Sequence, residues 1–141
     1  MADPAEVLLA VLRQMTALTG GVYDGQVPVK VPTDSTGKWV KPYAVLWAGM
    51  GDDLPEERDL TGLASAGVLD WRPQVTVVGA SASVCRDASR AVLAALRNQH
   101  LGPGWLIPDA DMNRQLAPIP DNTVTPVRHF MPLKFRLVTT T

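Results

Sequence analysis

Four sets of residues carry side chains that could do chemistry. Cys85, the one cysteine of the chain, lies in QVTVVGASASVCRDASRAVLAAL at 74–96, where a strand-like run hands over to a helix. A cysteine at a helix start is a candidate nucleophile. The turn GASAS at 79–83 occupies the place at which a glycine-rich loop cradles phosphate. His100 and His129 could act as acid–base groups, and GDDLPEERDL at 51–60 gathers carboxylates that could hold calcium.

Spacing turns most of these toward structural roles. At about 3.6 residues per turn, Val84, Cys85, Ala88, Ala91, Val92, Ala95 and Leu96 form one apolar arc, with Arg86, Asp87, Arg90 and Arg97 opposite. A reactive thiol needs a partly exposed, electropositive setting, whereas Cys85 is expected to face a sheet as a small hydrophobe. GASAS has one glycine and no lysine, too few for a phosphate loop, and lacks the flanking glycines of a nucleophile elbow. Gly79 then ends the strand, and Ser81 or Ser83 caps the helix.

No H-x-x-x-H or H-E-x-x-H spacing joins the histidines to a carboxylate. His100 follows the helix, where it can satisfy the last carbonyls, and His129 shares the apolar parity of a strand. The acidic stretch lacks the alternating ligands and closing glutamate of an EF-hand. No catalytic, cofactor-binding or metal-binding residue is therefore assigned.

The elements that position these residues follow from periodicity. Asp3, Pro4 and Glu6 predict a capped helix running to about Leu18, with Val7, Leu8, Val11, Leu12, Met15 and Leu18 on one side and Gly20–Gly21 as its exit. VYDGQVPVKVP suggests a short strand or hairpin turning at Asp24–Gly25. PYAVLWAG is apolar on both parities, as in a central strand covered on both faces. Residues 50–67 form a long charged loop, and Leu69, Trp71, Val75 and Val77 alternate with polar residues as a half-buried strand in which Pro73 marks a bulge or an edge. A second helix spans about 83–98. Prolines then exclude long regular structure until VRHFMPLKFRLV, a final strand with His129, Met131, Leu133, Phe135 and Leu137 on one parity and Arg128, Lys134 and Arg136 on the other.

These elements predict one α+β domain over 1–141: a mostly antiparallel β-sheet, two amphipathic helices packed on one face, and a long charged loop between strands. With 141 residues, 46% of them hydrophobic, the chain can build an ordinary core. Thirteen basic against fourteen acidic side chains leave a net charge of −1, so no global field favours nucleic acid or an anionic membrane. A lone cysteine forms no internal disulfide, which fits a reducing compartment. MADPAEVLLAVLRQM has neither the basic leader nor the cleavage site of a signal peptide, and no apolar run is long enough to span a membrane.

The order of elements has a further implication. An amphipathic first helix, V-Y-D-G at 22–25, P-Y at 42–43, a charged loop ending R-D-L-T-G at 58–62, and V-T-V-V-G at 75–79 before an alanine-rich helix resemble the tail terminator proteins of long-tailed bacteriophages, over about residues 5–138. The resemblance implies a structural virion protein, not an enzyme. It is made in the host cytoplasm and forms a ring, typically a hexamer, at the head-proximal end of the tail. There it ends polymerisation of the tail tube protein and presents the surface that joins a head-connector or neck protein, with no cofactor. DNA passes through such a ring, and no aromatic-and-basic platform for gripping it is seen. In a ring each subunit meets its neighbours through two different patches. The expected contact sets Asp53, Glu56, Glu57, Arg58 and Asp59 of one subunit near Arg86 and Arg90, or Arg128 and Arg136, of the next. Another neck or tail protein, such as a head-completion adaptor or tube component, has the same profile. From a different class comes a small hydrolase or ligand-binding α+β domain using Cys85 or His129.

Overall fold

A computed structural model describes residues 3–49, 52–53, 68–101, 104–113 and 116–140, with backbone alone described at 52, 53, 68, 69 and 138–140. Its elements are α1 (Pro4–Arg13), β1 (Val22–Asp24), β2 (Tyr43–Trp47), β3 (Asp52–Asp53), β4 (Val68–Trp71), β5 (Gln74–Gly79), α2 (Ala82–Leu96), β6 (His100–Leu101), β7 (Gly104–Trp105), β8 (Ile107–Pro108), α3 (Ala110–Asn113), β9 (Ile119–Asp121) and β10 (Arg128–Thr140). This is an α+β fold on a mostly antiparallel sheet. No helix of the described residues is long and apolar enough to cross a membrane.

β10 organises the sheet. Along one edge it pairs antiparallel with β5, from His129 opposite Gly79 to Lys134 opposite Gln74, and then with β4, from Leu137 opposite Trp71 to Thr140 opposite Val68. Both stretches keep a single register. At the break between them the Phe135 N–H still donates to the Pro73 carbonyl at 3.0 Å, while the proline nitrogen has no hydrogen to return the bond. Pro73 is thus neither a bulge nor an edge; it interrupts one long strand without shifting it. β2 lies antiparallel on the far side of β5, and β9 and β8 occupy the other edge of β10.

The register fixes which side chains share a face. Trp71, Val75 and Val77 join Met131, Leu133, Phe135 and Leu137, with Ala44 and Leu46 of β2, in the main core. α1 adds Leu8, Leu9 and Leu12 to it, and α2 adds Cys85, Ala88, Val92 and Leu96, so both helices cover the same face. On the other face Tyr43, Val45 and Val78 form a smaller cluster with Val40, flanked by Tyr23, Val31 and Phe130. β2 is therefore covered on both sides, as its apolar sequence predicts.

Helix starts follow the expected chemistry. Asp3 Oδ1 accepts from the Ala5 N–H at 3.0 Å, and Ser81 Oγ accepts from the Val84 N–H at 3.2 Å, making Ser81 the cap of α2. α1 ends at Arg13, not near Leu18. Beyond it the chain continues in tight turns, with Gln14 N–H to Val11 O, Met15 N–H to Leu12 O and Leu18 N–H to Met15 O, which still deliver Leu18 to the core. Asp24–Gly25 does turn, Gly25 having a φ of 70°. It makes no hairpin, because β1 pairs parallel with β2, Val22 standing opposite Ala44. Of the stretch 50–67, expected as one long charged loop, Asp52–Asp53 instead form β3, because they pair antiparallel with Asp70 and Leu69 of β4, and 54–67 lie outside the described residues.

One close approach carries a prediction. A Cβ on Gly79 would fall 2.8 Å from the Cys85 nitrogen and 3.1 Å from its Cα, both backbone atoms that the α2 start cannot easily move. Gly79→Ala is expected to lower stability by about 1–3 kcal/mol, read as a reduced urea midpoint at unchanged slope. An unchanged midpoint would show that the strand-to-helix junction tolerates a side chain.

Candidate functional site

Cys85 lies on the buried side of α2, as its place on the apolar arc requires. Its Sγ–H points to the Val77 carbonyl at 3.4 Å, and burial pushes its pKa from 9.0 up to about 11. A thiol so placed is almost wholly protonated at neutral pH. His129 stands opposite Gly79 on β5 and Pro120 on β9; its Nδ1 is buried and has no partner among the described residues. No hydrogen bond joins it to Cys85 there. His100 is exposed and its ring packs on Trp105 at 4.6 Å between centroids, tilted by 42°. Among the described residues no group of three or more His, Cys, Asp or Glu is placed to hold a metal ion.

The charged residues expected at an interface separate into different regions. Asp53 belongs to β3, while Glu56, Glu57, Arg58 and Asp59 lie outside the described residues. Arg86 and Arg90 project from the outer side of α2; Arg90 pairs with Asp87 at 3.0 Å, both side chains more than two-thirds exposed at 73% and 70%. An exposed pair of this kind holds neither charge firmly. Arg128 and Arg136 project from the sheet face opposite the helices, since they alternate with the core residues of β10. The two basic groups therefore lie on opposite faces of the sheet.

Arg128 is also not a free surface charge. Its Nε donates to Asp121 Oδ2 at 3.0 Å and its Nη1 to the Tyr43 hydroxyl at 2.9 Å, and its side chain is 17% exposed. The Asp121 carboxyl is held below its ordinary pKa by the Thr123 hydroxyl and backbone N–H and by Arg128, while burial raises that of Tyr43. Farther along the same face, Arg136 Nε and Arg72 Nη2 share Asp70, at 3.4 and 3.3 Å. Lys134 donates to Gln74, which in turn donates to Thr76. The polar parity of β10 thus spends much of its charge inside the fold.

Between these polar groups lies a slot that sequence reading did not anticipate. It holds about 230 Å³, with Val45, Val78 and Phe130 as its apolar lining, Val27 and Trp47 beside them, and Tyr43, Asp121 and Arg128 at its polar end. Trp47 is fixed there by its Nε1–H to Thr76 Oγ1 at 3.1 Å. The available signal was Phe130, an aromatic on the parity that otherwise reads as basic. A wider hollow of about 630 Å³ opens around Arg72, Trp105, Ile107, Asp109 and Arg136.

No protein-family model matches the chain, and no curated protein matches it.

The burial of Cys85 has a measurable consequence. Native protein at pH 8 is expected to react with a thiol reagent far more slowly than urea-unfolded protein. Its folded pKa lies above the unfolded value, so the unfolded chain sheds its proton first as pH rises. Stability is thus whole below pH 9 and falls by roughly 2–3 kcal/mol through about pH 11. Cys85→Ala should flatten that part of the profile; equal labelling of native and unfolded protein would refute the buried thiol.

Proposed function

We infer that the chain is a tail-terminator-like structural protein of a long-tailed bacteriophage. It forms a ring at the head-proximal end of the tail tube, stops tube growth and offers the head-joining surface. What supports this reading is the order of elements, an amphipathic first helix, a central strand covered on both faces and a strand leading into an alanine-rich helix, on a mostly antiparallel sheet. The sequence also carries two unlike charged groups: Glu56, Glu57 and Asp59 between β3 and β4, which lie outside the described residues, and Arg86 and Arg90 on the outer side of α2. A contact between unlike patches is heterologous, and a heterologous contact that closes makes a ring.

Arg86 and Arg90 are the better partners for the acidic segment, because Arg128 is committed to Asp121 and Tyr43 within its own chain. The order of elements supports the family reading, and the cofactor-free assignment goes with it. The ring takes the tail tube protein on one side and a neck protein on the other. DNA passes without specific binding.

Two measurements test this reading. Purified protein is expected to give a hexamer mass by light scattering at physiological salt, and the Glu56→Arg, Glu57→Arg double variant to shift toward monomer through like-charge repulsion. An intact hexamer in the variant would refute the pairing. Tails assembled without the protein should be overlong by electron microscopy; normal-length tails that fail to join heads would instead identify a neck adaptor.

A further inference from the structure

The slot on the open sheet face has a chemical polarity of its own. Its walls of Val45, Val78 and Phe130 offer no hydrogen bond, and its polar end is rich in donors. A guanidinium carries five N–H groups, of which Arg128 directs one to Asp121 and one to Tyr43. The others have no acceptor among the described residues. Tyr43 is 1% exposed, and its oxygen accepts from Arg128 while its own proton has no acceptor there. Asp121 is already engaged, one oxygen by Arg128 and the other by the Thr123 N–H and hydroxyl. What remains unpaired at this end, with Asp121 already engaged, is a set of donors on Arg128 and Tyr43.

We propose that this slot binds a carboxylate carrying a short apolar or aromatic tail, its head on the unspent edge of Arg128 and its tail against Val45, Val78 and Phe130. Arginine presents parallel donors that match the two oxygens of a carboxylate, and a charged acceptor there is stronger than a neutral one. The tail is bounded by volume: a cavity of about 150 Å³ admits benzene, so about 230 Å³ accommodates a phenyl ring with a short linker. Such a group comes either from a small free acid or from a chain that ends in a bulky apolar residue. The site is independent of the ring contact inferred above, which uses other residues.

The probes are 3-phenylpropionate, its amide, and acetyl-Ala-Phe with a free C-terminus, titrated into the full chain labelled with ¹⁵N. Saturable shifts at Val45, Val78 and the Trp47 indole are expected with at least one acid, and binding of the amide weaker by about tenfold. Tighter binding of the peptide acid identifies a chain terminus as the source, and tighter binding of 3-phenylpropionate a small acid. Arg128→Lys should weaken the acid and leave the amide unchanged. Because that change also touches Tyr43 and Asp121, Val27→Asp at the half-exposed rim provides a second test, expected to abolish acid binding with the spectrum otherwise intact. No saturable shift with either acid at millimolar concentration, or equal affinity for acid and amide, overturns the proposal.

Discussion

The pairing of β10 with the strand that runs through β5, Pro73 and β4 is the constraint on which the rest of the molecule depends. One register holds along that whole edge, so the alternation of β10 is never reset. Met131, Leu133, Phe135 and Leu137 consequently stay on the helical side, and Arg128, Phe130, Lys134 and Arg136 on the other. A slip of one residue would exchange the two sets and bury the cations. Pro73 is tolerated because a strand can lose one donor and keep its acceptor, which here still takes the Phe135 N–H.

The same regularity explains what could be read from the chain. The core face of β10, the doubly covered β2 and most of the apolar arc of α2 were legible because each depends on periodicity against a flat neighbour, although Val84 at the helix start is exposed and Ser89 is buried in its place. Less legible were features set by partners distant in sequence. Leu9 is buried because α1 meets both the sheet and α2, a wider contact than one apolar stripe suggests. β1 pairs parallel with β2, although Asp24–Gly25 has hairpin chemistry, because the strand that receives it lies beyond the loop up to Tyr43. Local turn residues specify a reversal, not the strand that is met after it.

Charge was the least legible level. A parity containing Arg128, Lys134 and Arg136 reads as a solvated basic face, yet the fold supplies Asp121, Gln74 and Asp70 to those residues. Gln74 and Asp70 lie 60 and 66 positions from the cations they meet, and Asp121 reaches Arg128 from seven positions away across the β9–β10 pairing. The pairing of Arg128 with Tyr43 spans 85 positions and links β10 to β2 across β5. A composition near neutrality is therefore compatible with strong local commitment, and the arginines left at the surface of α2 differ in kind from those of β10.

Why a slot exists at all follows from unequal coverage. α1 and α2 pack on one face, and among the described residues the other is covered by the segment between β1 and β2, which brings Val31 and Val40 over Tyr43, Val45 and Val78. That cover ends before Trp47 and Phe130. Beyond its limit the sheet remains apolar at Phe130 and becomes charged at Arg128. An apolar floor next to a half-buried guanidinium is the combination that binding sites use to fix both the position and the orientation of a small group. Here it results from a strand whose alternation was fixed by its core face, leaving the opposite parity free to carry unlike residues side by side.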